Sequence, residues 1–137
     1  MGDLLQAMRS ELQARRGYLE NEPIETIYFG GGTPSLLPTD DLQRVLDDIY
    51  RYFPVVDKPE ITLEANPDDL TYHKIIELAR TPVNRLSIGI QSFRNQDLQW
   101  MNRAHTAAQA DFSVKCAQDR GFENITIDLI YSIPGLS

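Results

Sequence analysis

Glu64, Gln91, Arg103 and Asp128 are the side chains of this sequence whose types suit a small charged ligand, and the run Gly30-Gly31-Gly32, followed by Thr33 and Pro34, precedes them. A carboxylate such as Glu64 accepts from an ammonium group, while Gln91 and Asp128 can hydrogen-bond sugar hydroxyls. Arg103 can hold a carboxylate through a charge-assisted pair. Glycines let the backbone approach a ligand closely and present its amides without a side chain in the way. Together these groups suit a zwitterionic ligand that carries a ribose. Each has a plainer reading beside this one. The glycines can form a tight strand-to-helix turn, Glu64 and Asp128 can be strand-end carboxylates satisfied by backbone amides, and Arg103 can be an ordinary exposed arginine.

The segments that must position these groups alternate in type. Asp3 to Tyr18 reads as an amphipathic helix, with Leu4, Leu5, Met8 and Leu12 at helical spacing. Ile24 to Phe29 is a strand that runs into the glycines. Thr39-Asp40-Asp41 opens a second helix, with Thr39 as the cap and two carboxylates at the positive end of the dipole, and Pro54 ends it. Glu60 to Ala65 is a short strand closed by Asn66-Pro67, a helix follows around Tyr72 to Ala79, and Arg85 to Ile90 is a third strand. Helical pieces come next, at Asn95 to Met101 and Ala107 to Arg120; Thr106 and Gln109 are spaced as a capping box, and Gly121 is a stop. Asn124 to Tyr131 is the last strand, with Ser132 to Ser137 as the loop after it.

Strands alternating with helices predict an α/β fold of four parallel strands with right-handed crossovers, either open or part of a barrel. Both arrangements place ligand chemistry at the carboxyl ends of the strands, which is where the glycine run, Glu64, Gln91 and Asp128 stand, with Arg103 in the segment that follows the third strand. The period of two sets Thr62 with Glu64, Ser87 with Gly89 and Gln91, and Thr126 with Asp128. The other face carries Ile61 and Leu63, then Leu86, Ile88 and Ile90, then Ile125, Ile127 and Leu129. A sheet covered by helices on both faces is usually apolar on both, so the polar face predicts a ligand-lined concavity.

The composition narrows the classes of function. A net charge of −7 over 137 residues argues against a nucleic-acid partner or an anionic membrane surface. No run approaches the ~18 consecutive apolar residues of a membrane-spanning helix, and the first residues lack a signal-peptide core. The single cysteine, Cys116, cannot form an internal disulfide or a cysteine-only metal site, and with the rest it predicts a cytoplasmic protein. Four residues after Phe112, it reads as a small buried hydrophobe. His105 reads either as a haem ligand or as a structural histidine at a helix start.

Five motifs stand in order along the chain: FGGGTPS (Phe29 to Ser35), ITLEANPD (Ile61 to Asp68), NRLSIGIQSF (Asn84 to Phe93), MNRAHT (Met101 to Thr106) and the run from Gly121 to Gly135. They resemble the core of the radical S-adenosylmethionine (SAM) family that contains oxygen-independent coproporphyrinogen III oxidase and the related haem chaperones. The resemblance implies a (βα)6 partial TIM barrel that binds SAM beside a 4Fe-4S cluster and cleaves it reductively to a 5′-deoxyadenosyl radical. By position, Gly31, Gly32 and Thr33 match the loop holding the methionine end of SAM, and Glu64 matches the residue near its amino group. Arg103 matches the partner of its carboxylate, and Gln91 and Asp128 match the ribose contacts.

The sequence also departs from that pattern. The family's CxxxCxxC motif lies before FGGGTPS, and no cysteine stands there in this chain. Residues 1–137 are therefore expected to be one partial core domain, without the first strand and cluster loop and without the sixth strand onward. SAM and tetrapyrrole or haem are expected partners of the parent protein, and this segment alone is expected to be inactive. Gln91-Ser92-Phe93 and Arg103-Ala104-His105-Thr106 resemble the haem-chaperone branch more than the oxidase branch. Oxidase, haem chaperone and inactive structural remnant all remain open at this point. The exposed sheet edges predict a homo-oligomer.

Overall fold

The structure, a computed structural model, describes residues 2–132. Its elements run in the order α1 (Gly2–Ala14), β1 (Ile24–Phe29), α2 (Thr39–Tyr52), β2 (Val55–Ala65), α3 (Tyr72–Ala79), β3 (Arg85–Gln91), α4 (Asn95–Trp100), α5 (Ala107–Asp119) and β4 (Asn124–Leu129), with short 3₁₀ turns at Pro34–Leu36 and Pro67–Asp69. The strands form a single four-stranded sheet in the order β1-β2-β3-β4, and β2 with β3 and β3 with β4 pair in parallel. This is the predicted α/β arrangement of four parallel strands alternating with helices. The loop expected at Ser132 to Ser137 lies outside the described residues after Ser132.

The chain divides into two compact units. The first comprises Met1–Ile27 and Leu37–Glu60. Within it the predicted helix at the start is narrower in what it buries: Leu5 is buried, but Leu4 and Met8 are exposed. What ties α1 to α2 is polar. Arg9 donates from Nε to the buried Asp48 carboxylate at 2.5 Å. On α2 the apolar positions Leu42, Val45, Leu46 and Ile49 are buried, as their spacing requires. The cap differs from the expectation. Pro38 occupies the N-cap position with no side-chain capping bond, so Thr39 is already the first helical residue. Asp40 and Asp41 do stand in the first turn, where the dipole favours them.

The second unit comprises Tyr28–Leu36 and Ile61–Ser137 and holds the motifs. Its core is the apolar face of the sheet: Ile61, Leu63, Leu86, Ile88 and Ile90 are buried, as are Leu70, Ile75, Leu78 and Leu98 around it. Thr106 caps α5 with a complete capping box, its hydroxyl accepting from the Gln109 amide while Gln109 accepts from the Thr106 amide. Gly121 follows the helix at φ 96, a left-handed stop that glycine takes without strain. The apolar row continues onto β4 but is not covered there: Ile127 is 37% and Leu129 54% exposed. β4 is an edge strand of the sheet, and no described element buries that row.

Candidate functional site

At the carboxyl ends of the strands, in the second unit, lies a cleft of about 230 Å³ lined by Gly32, Thr33, Pro34, Glu64, Ala65, Asn66, Ser87, Gly89, Gln91, Arg103 and Asp128. All but two of the residues singled out for a ligand line it. The exceptions are Gly30 and Gly31, and the Gly31 amide instead donates to Glu64 Oε2 at 3.2 Å.

Glu64 is the most constrained of the group. Besides the Gly31 amide, it accepts from the Tyr28 hydroxyl on Oε1 at 2.6 Å. A carboxylate has about four lone-pair positions, so two bonds fix its plane and leave room to accept from an ammonium group. The glycine before it makes this possible: a Cβ on Gly30 would lie 2.7 Å from Tyr28 Cε1 and 3.1 Å from Glu64 Oε1. Gly31 and Gly32 are needed for a different reason, their φ values of 77 and 56.

Gly89 sets the floor. A Cβ there would meet Gln91 Nε2 at 3.1 Å, Asn66 Oδ1 at 3.6 Å and Arg103 Nη2 at 3.8 Å. The missing side chain leaves room for the Gln91 carboxamide, while the Asn66 oxygen and the Arg103 guanidinium lie at ordinary contact distance from the same point. Arg103 donates to Asn66 Oδ1 at 3.3 Å, which ties the loop after α4 to the loop after β2. Below these groups Arg85 spans the sheet, donating to Thr62 at 3.2 Å and to Thr126. Thr62 and Ser87 are buried on this polar face.

Sequence reasoning missed Tyr28, Asn66 and Arg85. Tyr28 was within reach, because the period of two places it with Gly30 at the end of β1. Asn66 and Arg85 act through partners far along the chain, 37 and 23 residues away, which local pattern does not reveal. His105 is not placed as an exposed haem ligand: it is buried and its Nε2 is bonded to the Ile90 carbonyl.

The electrostatics of the wall give a pH test. The bond to Glu64 raises the Tyr28 phenol above its ordinary value of 10.0, with burial and the charges of Glu64 and Asp128 adding to it. The folded chain thus favours the neutral phenol. Its contribution to stability is complete below the ordinary value and is lost as pH rises through the folded one. The difference between the ultraviolet titrations of the parent and Tyr28→Phe isolates this group. Glu64→Gln is expected to move that difference to lower pH; an unmoved curve would show that the bond is not made.

The fold and the cleft define an α/β protein with a polar cleft at the carboxyl ends of a parallel sheet. Comparison with known proteins is more specific. The chain belongs to the radical SAM superfamily, whose profile matches residues 9–137. It is 47% identical over 116 residues to the haem chaperone HemW of Lactococcus lactis, covering 85% of this chain and 31% of that protein. Against the haem chaperone HemW of Escherichia coli the identity is 34% over 135 residues, covering 98% of this chain and 36% of that protein. The solved structure of coproporphyrinogen III oxidase (HemN) from Escherichia coli, described as a radical SAM enzyme, superposes with a TM-score of 0.87 at 26% identity, over 97% of this chain and 31% of that one. The chain spans about a third of the length of these relatives.

The two groups that the superfamily implies fare differently here. The cleft fits SAM in kind: it offers carboxylates, a guanidinium and a carboxamide around a floor kept open by a glycine. An iron–sulfur cluster does not fit this chain's own donors. Cys116 is buried on α5, and burial, helped by Asp119, pushes its thiol up, away from the thiolate that binds iron. Among the described residues no group of three His, Cys, Asp or Glu is placed to hold a metal ion. Anaerobic reconstitution with iron and sulfide is therefore expected to leave the chain colourless. Visible cluster absorption with about four irons per chain would contradict this.

Proposed function

We propose that this chain is the adenosyl-ligand part of a radical SAM protein of haem metabolism, and that the cleft at the strand ends holds SAM. The observation that carries the reading is the convergence of Glu64, Gln91, Arg103 and Asp128 on one cleft from four separate stretches of sequence. In this assignment the Glu64 carboxylate, fixed by Tyr28 and the Gly31 amide, accepts from the ligand's ammonium group. Arg103 pairs with its carboxylate, Gly32 and Thr33 flank the methionine end, and Gln91 and Asp128 take the ribose hydroxyls. These residues bind and orient the ligand; SAM supplies the adenosyl group on which the family's chemistry depends.

For the whole protein we propose haem as the partner, since the curated relative at 47% identity is a haem chaperone. Tetrapyrrole oxidation is the second reading, supported by the fit to the coproporphyrinogen oxidase structure. Association through the sheet edge at β4, where Leu129 is exposed, and a cytoplasmic location belong to the same proposal. No helix among the described residues is long and apolar enough to cross a membrane.

Calorimetry tests the cleft. SAM is expected to bind weakly, because the cluster that would chelate its methionine end has no ligands in this chain. Asp128→Ala is expected to weaken binding by about 1.5–3 kcal/mol, the worth of a hydrogen bond to a charged group. Affinity unchanged by Asp128→Ala, or no binding at millimolar SAM, would overturn the assignment.

A further inference from the structure

Gln91 ends β3 in a backbone conformation that side chains rarely take, with φ 71. The Ser92 amide donates back to the Ile90 carbonyl at 2.9 Å. That bond closes a three-residue turn with Gln91 at its centre, and a positive φ there marks the rarer, strained form of such a turn. The strand pairing is irregular at the same place. Ile88 lies opposite Ile127 but Gln91 lies opposite Leu129, so β3 carries an extra residue. A strained, bulged strand end holds only if its surroundings fix it, and here it carries a side chain that lines the cleft.

His105 supplies a constraint of the right kind. The residue is 3% exposed, and Nε2 lies 2.8 Å from the Ile90 carbonyl oxygen, the same atom that receives the Ser92 amide. A carbonyl oxygen only accepts, so Nε2 carries the hydrogen. In the neutral ring Nδ1 is then a bare acceptor, and it is buried without a hydrogen-bond partner. Such an orphan is unfavourable, so the ring is not there for a complete hydrogen-bond set of its own. Its one bond goes to the turn.

We infer that His105 is a positioning residue for the cleft: through the Ile90 carbonyl it holds the turn that aims the Gln91 carboxamide at the ligand. The inference rests on the adenosyl reading above. His105 lines no part of this cleft and acts only through main chain. The Gln91 carbonyl is held from the other side by the Ile130 amide at 2.9 Å. The Ser92 hydroxyl donates to the buried Asp97 at 3.0 Å. The turn is therefore clamped on three sides, and His105 is the clamp that comes from the loop carrying Arg103. Loss of this clamp moves the ribose contact and leaves the core face of β3 in place.

His105→Leu keeps an apolar side chain in the site and removes the donor; His105→Gln restores an N–H of similar reach. Amide hydrogen exchange on the whole chain reads the turn directly. In His105→Leu, protection of the Ser92 amide is expected to fall roughly tenfold, the scale of one hydrogen bond, while Leu63 and Leu86 in the core keep theirs. SAM affinity is expected to fall by a similar factor, and His105→Gln to recover both. In a Gln91→Ala background, His105→Leu is expected to have no further effect on affinity, since the two act as one unit. Unchanged Ser92 protection, an equal loss at Leu63 and Leu86, or an additive effect on top of Gln91→Ala would each overturn the inference. If the parent chain does not bind SAM, the adenosyl reading falls, and exchange at Ser92 still decides whether His105 holds the turn.

Discussion

Ile88→Ala is expected to destabilise the chain by about 2–5 kcal/mol, the range for truncating a buried isoleucine whose cavity cannot collapse. Ile88 is fully buried on β3, with Ala65 of β2 opposite it on one side and Ile127 of β4 on the other. A strand paired on both edges cannot shift to fill a void without disturbing its neighbours. Since folded domains have only about 5–15 kcal/mol in hand, this substitution is expected to leave a marginal protein. Ile127→Ala is the control. It lies in the same cross-strand row but is 37% exposed, and its cost is expected to stay below about 1 kcal/mol. Urea unfolding of the two variants checks the contrast; equal losses would mean that the apolar face of β4 is buried in solution.

The second large effect is on the ligand and leaves stability nearly untouched. Gly30→Ala places a methyl group 2.7 Å from the Tyr28 ring and 3.1 Å from Glu64 Oε1. The ring, which is exposed, must swing outward, and its 2.6 Å bond to Glu64 breaks. Little packing is lost, so the fold is expected to lose under about 1 kcal/mol. The carboxylate, however, loses the donor that fixes it, and bonds to charged groups are worth about 1.5–3 kcal/mol. SAM affinity is expected to drop at least roughly tenfold with little change in melting temperature. Intact affinity in Gly30→Ala would remove Tyr28 and Glu64 from the site.

Much of this architecture could be read from local pattern, and the exceptions have causes. Leu86, Ile88 and Ile90 on one face and Ser87, Gly89 and Gln91 on the other follow from the pleat alone, which is why Gln91 was assigned to the cleft. The sequence puts the start of β2 at Glu60, whereas the strand begins at Val55, because Pro59 argues against a strand that nonetheless runs through it. Thr39 resembles a cap in composition, but the residue before it already takes that place. The apolar row of β4 is legible in the sequence, but how far it is buried depends on what lies opposite, which a strand's own sequence does not state. The same limit hid Asn66 and Arg85, whose roles exist only once distant loops and strands have met. Gln91 shows a further limit: its face was legible, but its positive φ was not, since no glycine stands there to signal it.

Arg85 has a consequence for how the protein comes to be. Its guanidinium joins three neighbouring strands, reaching residues 23 and 41 positions away in sequence. Parallel strands cannot be joined by a tight turn, so each of these bonds closes a long loop before any return is gained. Chains dominated by such distant pairings fold slowly. The helices of the second unit can form early from local signals, such as the Thr106 box, but the Arg85 bond to Thr126 and the Asp128 side of the cleft cannot exist until β4 has docked. A nascent chain that has emerged only as far as α5 thus has Glu64, Gln91 and Arg103 in hand and lacks Asp128, the cleft residue that β4 carries. Recognition of the ligand is in this sense a late event in the life of the chain, and refolding followed by ligand binding should lag behind refolding followed by helix content.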